Sequence, residues 1–444
     1  MANVKVSNLP ELGSGSLDPV ADFLLVSDAS AVLSKKIKPS EVIKGALATA
    51  APFWDFTTGV LPATVSFTRA SAGYRFNSSG VLVSETTDVA RFDYTPVTLA
   101  ARGLLIEEAR TENYTYNTTL SNAVWSYGGC TPTHNSTAGP DGTVTATLVT
   151  EGVTTSQNIG RTALSYTSGV TYMHRIYAKA NTRNWIAVYW DPNRFGGTGF
   201  SYFDVSTGTL GTPSVGMTTF IRPVANGFYE CVVIGTCTSS GAGNNAFFLA
   251  NANGGRIYTG DGVSSLYVWG PSLQVGSTSG QFIATGAAAV TRALDVATIN
   301  NSLVLTDQCW IVRARTPRKL SGVASNMVLT VDNGGSFDRR LIYYSTAGTL
   351  IAAAVVGNVT TGNMILGSVA ADTDFAVAVR WADNNFAASL NGGAIVTDLS
   401  GANPLGLTTA RVGRDLAGNY WNSTIKTIET RRTATDAELP LLAA

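Results

Sequence analysis

Residues 184–190 read Asn-Trp-Ile-Ala-Val-Tyr-Trp, and their alternation decides the fold class of this chain. Successive side chains of an extended backbone point to opposite faces of a sheet, so strict alternation marks a half-buried strand. Ile186, Val188 and Trp190 share one face and are expected to fill a core. Trp185, Ala187 and Tyr189 share the other, which leaves two aromatics facing outward. Tyr202 alternates against Phe203 and Val205 in the same way and joins that outward surface. Sugar rings stack on flat apolar surfaces, so Trp185, Tyr189 and Tyr202 are the candidate glycan-binding residues. A covering loop or a neighbouring subunit would use the same rings, and alternation does not choose between them.

Outward from this run, residues 113–290 supply about eight bursts of strand length, separated by Gly, Asn, Ser or Pro. Short strands at this spacing indicate an all-β sandwich rather than a parallel α/β fold. The composition agrees, because only 14% of residues are charged and the apolar residues come in short bursts rather than helical stripes. With 444 residues the chain exceeds one core, since single cores stop growing near roughly 250–300 residues. No period of about 20–50 residues recurs, which argues against a solenoid. Thirty Lys and Arg balance thirty Asp and Glu, so no net field draws the chain to nucleic acid or to an anionic membrane. No apolar run approaches the roughly 20 residues that span a bilayer, and no charged-then-apolar leader opens the chain. Neither membrane insertion nor Sec export is expected.

Catalysis finds little support. Glycosidic hydrolysis needs two carboxylates facing one bond, roughly 5–5.5 Å or 6.5–9.5 Å apart. Glu107 and Glu108 are adjacent in a strand-like run and point to opposite faces. Asp372 and Asp374 share a face but read as a turn before a strand. His134 and His174 have no obvious partners, and no nucleophile elbow or phosphate loop appears. No catalytic residue is therefore named, and no cofactor is expected. The exception is calcium, for which Asp332, Asn333 and Asp338 around the loop Asn-Gly-Gly-Ser-Phe-Asp offer oxygen ligands. An Asx-Gly turn explains them equally well. Cys231 and Cys237 are six residues apart in one strand-like run, about 20 Å if extended, whereas a disulfide needs Cα atoms within about 7 Å. With Cys130 and Cys309 unpaired as well, four buried, reduced thiols are expected.

Two runs bracket the strand-rich stretch: RFDYTPVTLAARGLLIEEARTEN at 91–113 and YVWGPSLQVGSTSGQFIATGAAAVTRALD at 267–295. They resemble the runs that open and close a jelly-roll-like module in tailed-bacteriophage virion proteins. Arg91, Phe92, Asp93, Tyr94, Arg102, Gly103, Leu105, Glu107, Arg110 and Asn113 match the first run. Trp269, Gly270, Gln274, Gly276, Thr291, Arg292 and Asp295 match the second. The chain departs from the pattern at Glu112 and at Pro271-Ser272.

Residues 291–444 resemble the C-terminal half of laminin-G-like, concanavalin A-like sandwiches. Asn391-Gly392, Val412-Gly413, Trp421, Ile425, Ile428 and the closing 436–439 carry that likeness. Thr435 and Glu438 also form a capping box, so one helical turn should start there and Pro440 should keep it short. Residues 1–50, with a Gly/Ser hinge at 13–16 and a short helix capped by Ser40, resemble the segment that docks tail fibres and tailspikes onto the virion.

The resemblance implies four parts in tandem. A virion-docking segment spans 1–50, and a connector over 51–112 is rich in hairpins, one of them turning at Asn77-Ser78-Ser79-Gly80. A jelly-roll carbohydrate-binding-like module spans 113–290, and a concanavalin A/laminin-G-like module spans 291–444. It further implies a non-catalytic tail-fibre or tailspike-type adhesin, made in the host cytoplasm and carried on the virion. Its implied partners are further copies of itself, as a homo-oligomer and most readily a trimer, other virion proteins through residues 1–50, and a host cell-surface glycan. The alternatives are a capsid fibre or decoration protein, and a concanavalin A-like glycan hydrolase. The hydrolase would need a Glu-x-Asp-x-x-Glu strand in the last module, and the sequence has none.

Overall fold

The structure, a computed structural model, describes residues 24–26, 35–37, 53–300, 303–306 and 308–444. Among these, antiparallel strands build two β-sandwiches, one inserted into the other. In the frame sandwich, one sheet runs Val359–Ser368, Thr349–Val356, Arg339–Tyr344, Asn326–Asp332, Thr409–Val412, Val296–Ile299 and Val65–Thr68 in hydrogen-bonded order. The facing sheet runs Val396–Asp398, Phe386–Leu390, Asp374–Arg380, Cys309–Arg315, Ser423–Arg431, Ala101–Ile106 and Phe92–Tyr94. Phe53–Asp55 also pairs with Ser423–Arg431. One core lies between them, in which Trp54, Phe67 and Leu104 pack with Trp310, Trp381 and Trp421.

The expected connector over 51–112 is therefore corrected. Four of its strands, Phe53–Asp55, Val65–Thr68, Phe92–Tyr94 and Ala101–Ile106, are integral to the module expected over 291–444, and that module is discontinuous. Without them, Val296–Ile299 would be an unpaired edge, with Ala297 and Ile299 in the core beneath it. The Arg-Gly-Leu-Leu run owes its glycine to this closure. Gly103 has φ +91°, and a Cβ there would lie 2.1 Å from the Ile425 carbonyl oxygen.

The inserted sandwich has a sheet of Trp125–Gly128, Asn158–Tyr166, Gly241–Ala250, Trp185–Trp190, Phe200–Asp204 and Thr209–Leu210. It faces Cys130–Ala138, Val144–Glu151, Ser265–Val275, Thr171–Ala180, Tyr229–Thr236 and Thr218–Pro223. Ile186, Val188, Trp190, Phe203 and Val205 lie in the core between them, as alternation requires. The chain enters through Arg110–Glu112 and leaves through Val290–Arg292, and these two strands pair with each other.

The turn at 77–80 joins Gly73–Phe76 to Leu82–Glu85, and the Asn77 side-chain oxygen accepts from the Ser79 and Val81 amides. This hairpin packs Phe76 and Leu82 against Tyr177, Trp269 and Phe282 of the inserted sandwich, so it fastens the two modules together. At the C-terminus, the amide and hydroxyl of Thr435 donate to Glu438 at 2.7 and 2.8 Å, and the helix Glu438–Leu442 follows. Pro440 lies in its first turn, where no amide donor is needed. Leu439 and Leu442 cover Cys309 and Ile311 on the frame. Of residues 1–50, only the antiparallel pair Leu24–Val26 and Lys35–Ile37 is described. The hinge at 13–16, the Ser40 helix and the docking role lie outside the described residues.

Candidate functional site

The outward face of the six-stranded sheet carries the aromatic surface. Register places Ala187 opposite both Tyr202 and Phe248, and Tyr189 opposite both Phe200 and Ala246. Small residues beside large ones leave a depression with aromatic walls. A groove of about 550 Å³ opens there, within the range that holds a small ligand. The ring centroids lie 4.7 Å apart for Tyr189 and Phe200, 5.2 Å for Phe200 and Phe248, and 5.9 Å for Tyr189 and Phe248. The Arg256 guanidinium sits 3.9 Å from the Phe200 centroid, a cation–π contact. Ser156, Asn158, Arg161, Thr198, Asn244 and Asn245 complete the polar part of the lining.

Of the three residues expected here, Tyr189 lines the groove. Trp185 is half-buried and packs in the same cluster, but outside the groove lining. Tyr202 is corrected, because it is buried outside the groove lining. The chain after Thr209–Leu210 lies over it, with Gly211 donating to the Tyr202 carbonyl, and a Cβ on Gly211 would lie 2.7 Å from Trp185 and 2.8 Å from Tyr202. Phe200 and Phe248 take its place. Phe200 was open to the same alternation rule, standing two residues before Tyr202, whereas Phe248 is hidden in the uniformly apolar run Ala246–Ala250.

The calcium candidates do not converge. Asp332 is buried against Arg411, with oxygens 2.6 and 3.2 Å from its guanidinium. The Asn333 oxygen accepts from Gly335, and Asp338 accepts from Asn333 and Gly357, as a closed turn requires. Among the described residues no group of three or more His, Cys, Asp or Glu is placed to hold a metal. Asp372 and Asp374 share Arg315, at 2.7 and 3.1 Å. His174 lies in the core, where burial lowers its pKa to about 3, and it meets the Tyr114 hydroxyl at 2.8 Å. The four cysteines are unbonded to one another; Cys231, Cys237 and Cys309 are buried and Cys130 is half-buried.

The bracketing runs, by contrast, meet at the joint between the sandwiches. Arg91 donates to Glu107 at 2.7 Å and to Asp295. Arg69 reaches Asp295 at 3.3 Å, and Arg292 lies 3.5 Å from Glu107 and 3.6 Å from Asp295. All five side chains are buried. Burial alone would raise the Glu107 carboxyl, but Arg292, Arg91 and Arg110 outweigh it and hold the group down at about 2. A second cluster sets Glu230 against Arg222, Arg318 and Arg175 at 2.6, 2.9 and 3.1 Å. Glu112 and the Pro271-Ser272 pair, where the sequence departs from the runs it resembles, meet: the Ser272 hydroxyl donates to the buried Glu112 carboxylate. Burial raises that carboxyl to about 7, against the pull of Ser272 and the Leu273 and Tyr114 amides. These motif residues are thus an internal fastening, and the groove lies elsewhere.

No family model matches this sequence, and no curated protein does. Among solved structures, the CBM40 module of Ruminococcus gnavus IT-sialidase bound to alpha2,6 sialyllactose aligns with 32% of this chain and 86% of its own, at 16% identity and a TM-score of 0.26. The same module bound to alpha2,3 sialyllactose aligns with 32% of this chain and 85% of its own, at 17% identity and a TM-score of 0.27.

Proposed function

We propose that the chain is a glycan-binding adhesin of a bacteriophage particle, and that it reads sugar through the groove of the inserted sandwich. The observation that carries the binding role is the open groove lined by the half-buried Tyr189 and Phe248, with Phe200 buried in its floor beneath Arg256, on the face turned away from the sandwich core. Stacked rings supply contact area at little entropic cost, and the asparagines and arginines beside them offer donors for hydroxyl groups. The phage assignment rests on the two bracketing runs. On this reading residues 1–50 dock the protein to other virion proteins, and three copies assemble. Binding is favoured over hydrolysis because Glu107 and Asp372, each a member of a candidate acidic pair, are held by arginines.

Replacing Tyr189 and Phe248 with Ala should lower the retention of the labelled full chain on host-type bacterial cells and on a glycan array about tenfold or more. Each lost stack contributes on the order of 1 kcal/mol. Normal retention by a folded double variant would remove the groove from consideration.

A further inference from the structure

We infer that the groove selects negatively charged sugars, those bearing a carboxylate or a sulfate, over neutral ones. This rests on the glycan-binding reading and narrows it. Thirty cationic and thirty anionic side chains leave the whole chain neutral, so local imbalance carries information. The buried Arg91, Arg175, Arg222 and Arg292 each face a carboxylate within 3.5 Å, and the half-buried Arg194 and Arg313 are held by backbone carbonyls. The groove brings two half-buried arginines together. Arg161 and Arg256 both line it, no acidic residue does, and neither arginine has an ion-pair partner among the described residues.

The two guanidinia are held from behind in ways that leave their charge uncancelled. Arg256 rests on the faces of Phe200 and Phe248, 3.9 and 5.9 Å from their centroids. Arg161 donates one nitrogen to the Thr115 hydroxyl at 2.7 Å and lies over Trp125, while its buried Nε has no hydrogen-bond partner. Asp191, the acid whose field reaches Tyr189, is itself buried, and its oxygens accept the Asn193 and Asn244 amides. A planar guanidinium on an aromatic face keeps a fork of donors free for a carboxylate or sulfate. A sugar stacked on Tyr189 would bring its charged substituent to that fork.

The test is titration calorimetry of the full chain with matched oligosaccharide pairs. Oligogalacturonate is set against its methyl ester, and a sulfated galactan oligosaccharide against its desulfated form, so that the arms separate carboxylate from sulfate. The expected result is that the charged member of at least one pair binds about tenfold or more tighter, with the margin shrinking in 0.5 M salt as screening requires, roughly. R256Q should bring charged and neutral members together, and R256K should keep part of the difference. R161Q gives a second reading should R256Q fail to fold. Equal binding of charged and neutral members, lost in Tyr189→Ala, would overturn charge selection and leave the glycan reading standing. No binding to any member would overturn both.

Discussion

Asp295→Asn isolates the value of the joint between the sandwiches. The Asp295 carboxylate is fully buried and faces Arg69, Arg91 and Arg292, with Glu107 the other acid in the cluster. The substitution keeps the shape and removes one charge, so three buried guanidinia are left with one carboxylate. Arginine does not relieve this by deprotonating. Breaking a buried pair by removing one partner costs roughly 3–5 kcal/mol. Asparagine can still accept the Glu107 amide that Asp295 now holds at 2.8 Å, but it turns an NH2 group toward a guanidinium. A loss of about 4 kcal/mol follows, and at roughly 2–4 °C per kcal/mol for units of this size the melting temperature should fall by about 8–16 °C. Because the cluster joins residues of the frame to Arg292 at the exit of the insert, scanning calorimetry should also show one transition separating into two. A shift below about 2 °C with a single transition would refute the reasoning, since the arginines would then have to be hydrated rather than paired.

Trp190→Ala should destabilise the inserted sandwich by about 3–5 kcal/mol in urea titrations, whereas Tyr189→Ala should cost about 1 kcal/mol or less; the reverse order would mean that the two faces of Trp185–Trp190 are exchanged. Denaturation between pH 2 and 8 should show stability rising from pH 2 to about 4.5 and then staying nearly level to about 6.5. The level stretch arises because His174, held neutral by burial at a pKa of about 3 against 6.5 normally, gains stability over the window in which Glu112 loses it. Glu107 titrates near 2 in the fold against 4.5 normally, so its contribution is complete above pH 4.5 and is lost as pH falls toward 2. Glu112 titrates near 7 in the fold, so the fold holds a proton that the unfolded chain releases, and the contribution of this group falls as pH rises from 4.5 through 7. Glu112→Gln should remove the falling contribution and leave stability rising from pH 4.5 to 6.5 through His174, and the Gln274 oxygen, which lacks a partner, can turn to accept the new amide. An unchanged profile in this variant would mean that Glu112 does not titrate in this window.

Local rules were sufficient wherever the determinant was local. Alternation placed Ile186, Val188 and Trp190 in the core, Asn77 and Gly80 made their turn, and Thr435 met Glu438. What failed was whatever depends on partners far along the chain. Val65–Thr68 looks like any short strand, and nothing in its four residues says that it pairs with Val296–Ile299. Tyr202 obeys alternation and is still covered, because the chain that lies over it comes from beyond the next turn. Arg91, Glu107, Arg292 and Asp295 were legible as a signature but not as a cluster. Charged residues in strands ordinarily read as a solvated face, and only the meeting of the two runs buries them.

The pairing of Arg110–Glu112 with Val290–Arg292 has a consequence for how such chains diversify. Both ends of the insert leave the frame as neighbouring strands, with Thr111 and Thr291 in hydroxyl contact at 2.8 Å. A foreign domain whose own termini lie side by side can therefore be grafted between them without stretching either crossing. The tryptophan core and the C-terminal helix make their contacts within the frame, whereas the hairpin Gly73–Glu85 packs on the insert. A replacement would also have to cover Phe76 and Leu82 of the hairpin and supply a carboxylate for Arg318, as Tyr177, Trp269 and Glu230 of the insert now do.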